Sequence, residues 1–442
     1  MKYIYGLKKS GLSLVTYLNS INEEFFCWDD DETTREKLIK FNLKTNLINP
    51  NNLDAKLVDE AFITPGISLQ DKKIDVLKKN NIKLFRDLEL YSRLVNCEKI
   101  IAVTGTNGKS TTTKLIGDIL QLCKIKNFVG GNIGLPLIEF KNLKISELYH
   151  IIELSSFQLE SAPSFNPFIS ILLNISPDHL DRYENYAEYA CQKEKIISSN
   201  QNSFNIISVD NEICSQIFKR NKQNKMIPIS IDPIEEGIFF KDGQIIDNFF
   251  YKNETLPIPK ISPSLFSSFN KQNILAAYTV VKILKLNTNK FVECISNFIG
   301  LPHRMEEVIN NNEMCIINNS KATNVDAALQ SLQNYSNVNL ILGGEAKEDN
   351  FISFINQKDK INKIYLIGKS ANVIFQQLGS SIDCEIFDKL ENALKKIFLD
   401  SASKKKLLTI LFSPACTSFD QFKDFEERGN HFKNIVFSLV HE

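Results

Sequence analysis

The chain has 442 residues, too many for one hydrophobic core, and domain-size considerations predict about three domains of roughly 150 residues each. Hydrophobic residues make up 43% and charged residues 24%, the balance of a water-soluble globular protein. Lysine plus arginine and aspartate plus glutamate each number 52, so the formal net charge is zero, which argues against a dedicated binder of nucleic acid or of an anionic membrane.

The opening MKYIYGLKKSGLSLVTYL has no long apolar core and no small-residue cleavage site; it reads as strand, loop and helix rather than as a signal peptide. No window approaches the roughly 20 uninterrupted apolar residues of a membrane span. The nine cysteines are scattered without a CxxC pair, which predicts reduced thiols and a cytoplasmic protein.

Short apolar strands alternate with longer helical stretches. The strands are predicted at 2–6, 99–105, 149–155, 168–174, 204–209, 340–344, 363–368 and 407–414. Apolar runs of this length that end in Gly, Ser, Asn or Pro suit parallel strands buried on both faces, and the segments between them are long enough for crossover helices. The class is α/β, with several doubly wound sheets in series. The stretch 88–99 reads as a helix that closes the first domain near residue 92. Residues 232–265 carry short strands and three prolines near 257–263, read as a small antiparallel insertion. Helices are predicted at about 270–285 and 290–299, with the second boundary at 299.

The strongest local signal is IIAVTGTNGKSTTTKLIGDIL, residues 100–120. A buried strand runs into Gly105-Thr106-Asn107-Gly108-Lys109-Ser110-Thr111, and an amphipathic helix follows. Glycines let backbone N–H groups turn toward an anion, and a helix N-terminus adds a favourable dipole. Lys109 is placed to reach the outer phosphates of a nucleotide and Ser110 to ligate Mg²⁺. The spacing departs from GxxxxGK[ST], because Val103 stands where the first glycine would fall. The turn Gly6–Gly11 lacks GxGxxG and reads equally as a plain strand-to-helix connection. The acidic run Asp29-Asp30-Asp31 reads either as a ribose contact or as a solvated loop.

Taken together, GTNGKST (105–111), GGNIG (130–134), ELSSFQLE (153–160) and LNISPDHLDRY (173–183) resemble the motifs of the Mur ligases. GLPHR (300–304), NSKATN (319–324) and SPACTSFDQF (413–422) are similar to the branch of that family that adds D-glutamate. The resemblance runs in order from about residue 60 to 435, and the first 60 residues match only loosely. It implies three domains: a Rossmann-like N-terminal domain for a UDP-linked precursor (1–92), a central P-loop mononucleotide-binding domain with a parallel sheet (93–299), and a Rossmann-like, amino-acid-binding C-terminal domain (300–442). It also implies phosphorylation of the carboxylate of UDP-N-acetylmuramoyl-L-alanine by ATP, attack of the D-glutamate amine on the acyl phosphate, and release of phosphate. The implied protein is a cytoplasmic monomer that needs neither nucleic acid nor membrane.

The same resemblance implies roles for single residues. Glu153, which closes a buried strand, and His179 are Mg²⁺ ligands at two sites, together with Ser110. A lysine carbamylated by CO₂ completes the second site; the Tyr-x-x-x-Lys pattern from Tyr189 selects Lys193, with Lys195 as the alternative. Lys109, Glu153, His179 and Lys193 form the catalytic set. Asn270 and Asn273 lie on the adenine side, Arg304 reaches the phosphates from the third domain, and Asn319 contacts the nucleotide, although the family usually has Asp there. Asn132 and Ser155 meet the precursor. Lys321, Thr323, Lys347, Ser418 and Phe425 surround D-glutamate, a dianion that calls for cations and hydroxyl donors. The competing readings are a sister Mur ligase or a folylpolyglutamate synthetase, which share the ATPase motifs, and a nucleotide-sensing module without catalysis.

Overall fold

The computed structural model describes residues 1–39, 43, 46–138, 147–179, 182–258, 260–262, 265, 270–347, 350–401 and 407–441. Residues 180–181 of the LNISPDHLDRY motif, and 259 and 263–264 of the predicted insertion, lie outside the described residues.

The strands form three sheets. The first holds β1 (Lys2–Tyr5), β2 (Phe25–Trp28), β3 (Glu60–Ile63) and β4 (Lys83–Phe85), all parallel, in the order β2-β1-β3-β4. The order reverses between β1 and β3, so the crevice at their carboxyl ends is the topological switch point where open α/β sheets take ligands.

The central sheet has nine strands: β5 (Ile100–Thr104), β6 (Asn127–Gly131), β7 (Tyr149–Glu153), β8 (Ile169–Leu172), β9 (Phe204–Ser208), β10 (Met226–Ser230), β11 (Ile238–Lys241), β12 (Gln244–Asp247) and β13 (Glu254–Pro257). Their order is β13-β12-β11-β10-β9-β8-β5-β7-β6. The strands up to β11 pair in parallel, whereas β11, β12 and β13 form an antiparallel meander. The antiparallel insertion predicted within 232–265 is present as β11, β12 and β13. It extends the sheet, because the buried Ile238 and Phe239 of β11 pair with β10 and continue the same core layer.

The third sheet runs β14-β15-β19-β16-β17-β18, with β14 (Glu306–Asn310), β15 (Met314–Asn318), β16 (Val338–Gly343), β17 (Ile361–Ile367), β18 (Cys384–Ile386) and β19 (Leu408–Phe412). All pairs are parallel except β14 with β15. Each predicted strand coincides with an observed one. The helix read at 88–99 spans Asp87–Leu94, followed by a 3₁₀ turn at Cys97–Lys99, and the two later helices span Asn270–Ile283 and Thr288–Asn297.

Two compact units result. One comprises Met1–Pro257 with Gln272–Phe291 and holds the first two sheets; the other comprises Ile258–Lys271 with Val292–Glu442 and holds the third. Strands β5, β8, β16 and β19 are buried on both faces, as continuous apolar runs require when helices cover a parallel sheet. Among the described residues no helix is long and apolar enough to cross a membrane.

Candidate active site

The phosphate loop grows out of β5. The helix Lys109–Leu122 that follows has no acidic residue in its first turn, so the positive end of its dipole is left for a ligand. It packs on the sheet through the buried Leu115, Ile116, Ile119 and Leu120. Gly108 begins the helix with φ of +86°, and a methyl there would lie 2.3 Å from Asn273 Oδ1. Only glycine lets the chain turn at this point with the Asn273 amide against it. The backbone of the loop is held from β8: Thr106 N donates to Asn174 O at 2.8 Å, and Asn107 N to Asn174 Oδ1 at 2.8 Å. Lys109 Nζ donates to the carbonyls of Gly105 and Thr106, both at 2.7 Å.

Strands β5 and β7 are neighbours in register, Val103 opposite Glu153, which brings the phosphate loop beside the end of β7. There the Ser110 hydroxyl donates to Glu153 Oε2, and Asn132 Nδ2 donates to Glu153 Oε1 at 2.9 Å. Three expected residues from three segments thus meet on one buried carboxylate. Lys193, in the helix Tyr186–Glu194, reaches the same loop: it is 2% exposed and donates to Gly105 O at 2.8 Å. Burial, and next the Lys109 ammonium, hold its amine well below the usual lysine range, with Asp178 and Glu153 opposing. Lys195 is exposed and donates to Glu160 O at 2.7 Å, away from the loop. His179 has φ of +56° and lies 3.6 Å from Asp178 Oδ2, with its ring edge-on to Phe157. Its ring also faces Tyr189, the residue over which Lys193 Nζ lies at 4.9 Å. Among the described residues no three His, Cys, Asp or Glu side chains gather into a metal cluster.

In the second unit, three adjacent parallel strands, β15, β19 and β16, end together. Lys321 and Thr323 follow β15, Lys347 follows β16 and Ser418 follows β19. These loops are tied to one another by Arg428, 1% exposed, from the helix Phe425–His441. Its guanidinium donates to Ser320 Oγ and O, to Cys416 O at 3.0 Å and to Thr417 O at 3.1 Å. Glu345 and Thr417 exchange backbone hydrogen bonds of 3.0 and 2.9 Å. Gly344, at φ +135°, permits this approach, since a methyl there would lie 2.3 Å from Thr417 O. Lys321 Nζ sits 3.9 Å above the Phe425 ring, and Ser418 is buried. Arg304 is half-buried, beside the buried His303, which packs edge-on to Phe425.

The Mur ligase middle domain matches residues 103–281. Over 443 residues the chain is 37% identical to the UDP-N-acetylmuramoylalanine–D-glutamate ligase of Rickettsia bellii, covering 99% of this chain and 97% of that protein. The chain belongs to the Mur ligase family. The enzyme of the same name from Bartonella henselae is 32% identical over 99% of this chain and 97% of its own. Among solved structures, the UDP-N-acetylmuramate–alanine ligase of Thermotoga maritima shares the fold at a TM-score of 0.59 and 17% identity, with 99% of both chains covered. The MurF ligase of the same organism, solved with ADP, gives 0.60 at 16% identity over 88% of this chain and 97% of that one.

Sequence reasoning missed several groups in this Mur ligase. Asn174 and Asp178 sit inside a recognised motif, yet only their contacts reveal that one cradles the phosphate loop and the other faces Lys193. Gln272 joins Asn174 to Asp210 through bonds of 3.2 and 2.7 Å. Arg428 had no local signal at all. Other residues turn out to be engaged structurally. Ser155 caps the helix Ser156–Leu159 in a capping box with Gln158. Asn319 accepts from Met305 N at 3.2 Å and donates to Ser413 Oγ at 3.1 Å, which ties β15 to the loop after β19. Within the acidic run Asp29 is buried and accepts from Leu7 N at 2.6 Å, whereas Asp30 and Asp31 are exposed, Asp30 accepting from Tyr5 OH and pairing with Lys73 at 2.7 Å.

Proposed function

We propose that this Mur ligase joins D-glutamate to UDP-N-acetylmuramoyl-L-alanine with ATP, forming ADP and phosphate, in peptidoglycan precursor synthesis. The observation that carries the choice of amino acid is the 37% and 32% identity, over 99% of this chain, to two proteins named as D-glutamate ligases. The domain boundaries near 92 and 299, a monomeric state and a cytoplasmic location belong to the same proposal. The nine cysteines, none of them in a disulfide, agree with a reducing compartment.

An amide cannot form from a carboxylate and an ammonium until the carboxylate gains a leaving group. A precursor carboxylate oxygen attacks the γ-phosphorus of ATP and ADP leaves; the free D-glutamate amine then attacks the acyl carbon and phosphate departs. Catalysis of the first step is mainly positioning and charge neutralisation. Lys109 supplies the cation beside the phosphate loop, and Asn107, Gly108 and Thr111 complete the loop and helix terminus that receive the phosphates.

The residues at the ends of β5 and β7 fit Mg²⁺, a hard cation that takes oxygen ligands. The Ser110 hydroxyl and the Glu153 carboxylate already touch, and Asn132 holds the second carboxylate oxygen. His179 with Lys193 would hold a second ion. Carbamylation of Lys193 belongs to the same reading: its buried amine would gain an N–C bond to CO₂, lose a proton and so become an anion. Bound Mg²⁺ supplies neutralisation of charge on the phosphates. Asn270 and Asn273 are assigned to the adenine side and Arg304 to the phosphates. Lys321, Thr323, Lys347 and Ser418 are assigned to the two carboxylates of D-glutamate, with Phe425 packed beneath Lys321.

A panel of amino acids in a phosphate-release assay with UDP-N-acetylmuramoyl-L-alanine tests the proposal. D-glutamate is expected to drive turnover, with D-alanine and D-glutamine poorer by orders of magnitude, because cations and donors would be left unpaired. Lys347→Ala is expected to raise KM for D-glutamate far more than for ATP. Equal turnover with neutral amino acids would show a different ligase.

A further inference from the structure

Arg86, which follows β4, is fully buried, and its Nη1 reaches three carbonyls of one short loop. Its Nη1 donates to the carbonyls of Ile63, Thr64 and Ile67, each at 2.9 Å, and its Nη2 to the Glu160 carboxylate. Arg182 reinforces the grip, donating to Pro65 O at 3.1 Å and Ile67 O at 3.0 Å and lying 3.7 Å from Glu160. Tyr183 OH holds the other Glu160 oxygen at 3.1 Å. The backbone is drawn in as well, because Arg86 N donates to Ser161 O at 2.9 Å.

The gripped loop follows β3 and borders the switch point between β1 and β3; Thr64 N donates to Tyr5 O, at the end of β1. Its inward carbonyls are taken by guanidinium groups, while its crest is open: nothing lies within 4 Å of where a Cβ on Gly66 would sit. The partners of the loop come from the segments that also carry the proposed catalytic groups. Glu160 lies downstream of Glu153, and Arg182 follows His179. A planar guanidinium can bridge several fixed acceptors, which a lysine ammonium on its flexible stem cannot do with the same rigidity.

We propose that Arg86, with Glu160 and Arg182, is a positioning residue that sets the Thr64–Ile67 loop for the nucleotide part of the UDP-linked precursor and fixes that site relative to the ATP loop. This rests on the precursor assignment made above. The test is calorimetric titration of UDP-N-acetylmuramoyl-L-alanine, and separately of ADP, into the wild type, Arg86→Gln, Arg86→Lys and Arg182→Gln. Melting temperatures are recorded for each. Arg86→Gln is expected to weaken precursor binding by about tenfold or more and ADP binding by less than about twofold, with Arg86→Lys recovering part of the loss. Arg182→Gln, which leaves the buried ion pair intact, is expected to weaken precursor binding by several-fold and carries the test if Arg86→Gln does not fold. Precursor affinity unchanged in the folded variants, precursor and ADP affinities falling together, or a wild type that does not bind the precursor would each overturn the proposal. No D-glutamate is present, so a wild type that binds the precursor but fails to ligate D-glutamate refutes the function assigned above while leaving this inference standing.

Discussion

Lys109 and Lys193 donate to the same carbonyl, that of Gly105, at 2.7 and 2.8 Å. Lys193 is the more buried of the two, and burial, followed by the neighbouring Lys109 ammonium, lowers the proton affinity of its amine. A lowered proton affinity at Lys193 is what the carbamylation proposed above requires.

Replacing Lys109 with alanine is expected to reduce ATP-driven ligation by about 10²–10³-fold, equivalent to about 3–4 kcal/mol of transition-state stabilisation. Steady-state phosphate release measures it. Turnover close to wild type would remove the phosphate-loop assignment.

Lys193→Ala is expected to lose most activity and to regain part of it when short-chain carboxylates are added, since they can take the place of a carbamate. Lys195→Ala is expected to stay near wild type, because Lys195 is exposed and donates to the Glu160 carbonyl, away from the loop at Gly105. Mass spectrometry of the intact protein under CO₂ with trapping provides a second readout. The reverse pattern between the two lysines would contradict the assignment.

Asn319→Asp is expected to be tolerated, with KM for ATP within about threefold of wild type. A carboxylate can still accept from Met305 N, and the Ser413 hydroxyl can donate to it in place of accepting. Asn319→Ala leaves a buried N–H and a buried hydroxyl short of a partner and is expected to cost about 1–3 kcal/mol of stability. Denaturant melts of the two variants separate these outcomes; equal destabilisation by both would contradict the strap described for Asn319.

The buried pair Tyr91 OH and His150 Nδ1, 2.8 Å apart, predicts a pH dependence of stability. Burial lowers His150 from 6.5 to about 4, so the imidazole is neutral in the fold. Between those values the unfolded chain binds the proton and the folded chain does not. Stability is therefore present in full above the unfolded value and is lost as pH falls through the window. The drop in melting temperature from pH 7 to pH 5 is expected to be smaller in His150→Gln than in wild type. An identical drop would assign the acid sensitivity to other groups.

Much of this molecule is decided locally and was legible in the chain itself. The strand 100–104, the glycine-bearing turn and the helix from Lys109 follow from apolar run length, φ preferences and the empty first turn. Ser110 after the glycine turn and Glu153 at a strand end were identifiable by type and position, whereas Asn132 and His179 were singled out by the family resemblance of their motifs. The Tyr-x-x-x-Lys pattern selected Lys193 over Lys195, but the physical reason for the difference between them was not in the sequence. Two residues on a helix point about 200° apart, and only packing against the sheet decides which faces the loop. Arg86 and Arg428 were equally invisible: each acts on carbonyls far away in the chain, and a carbonyl carries no residue identity that a sequence pattern can register. The same holds for Asn319 and Ser155, whose side chains are engaged by backbone and hydroxyl groups that only the folded arrangement brings within hydrogen-bond reach.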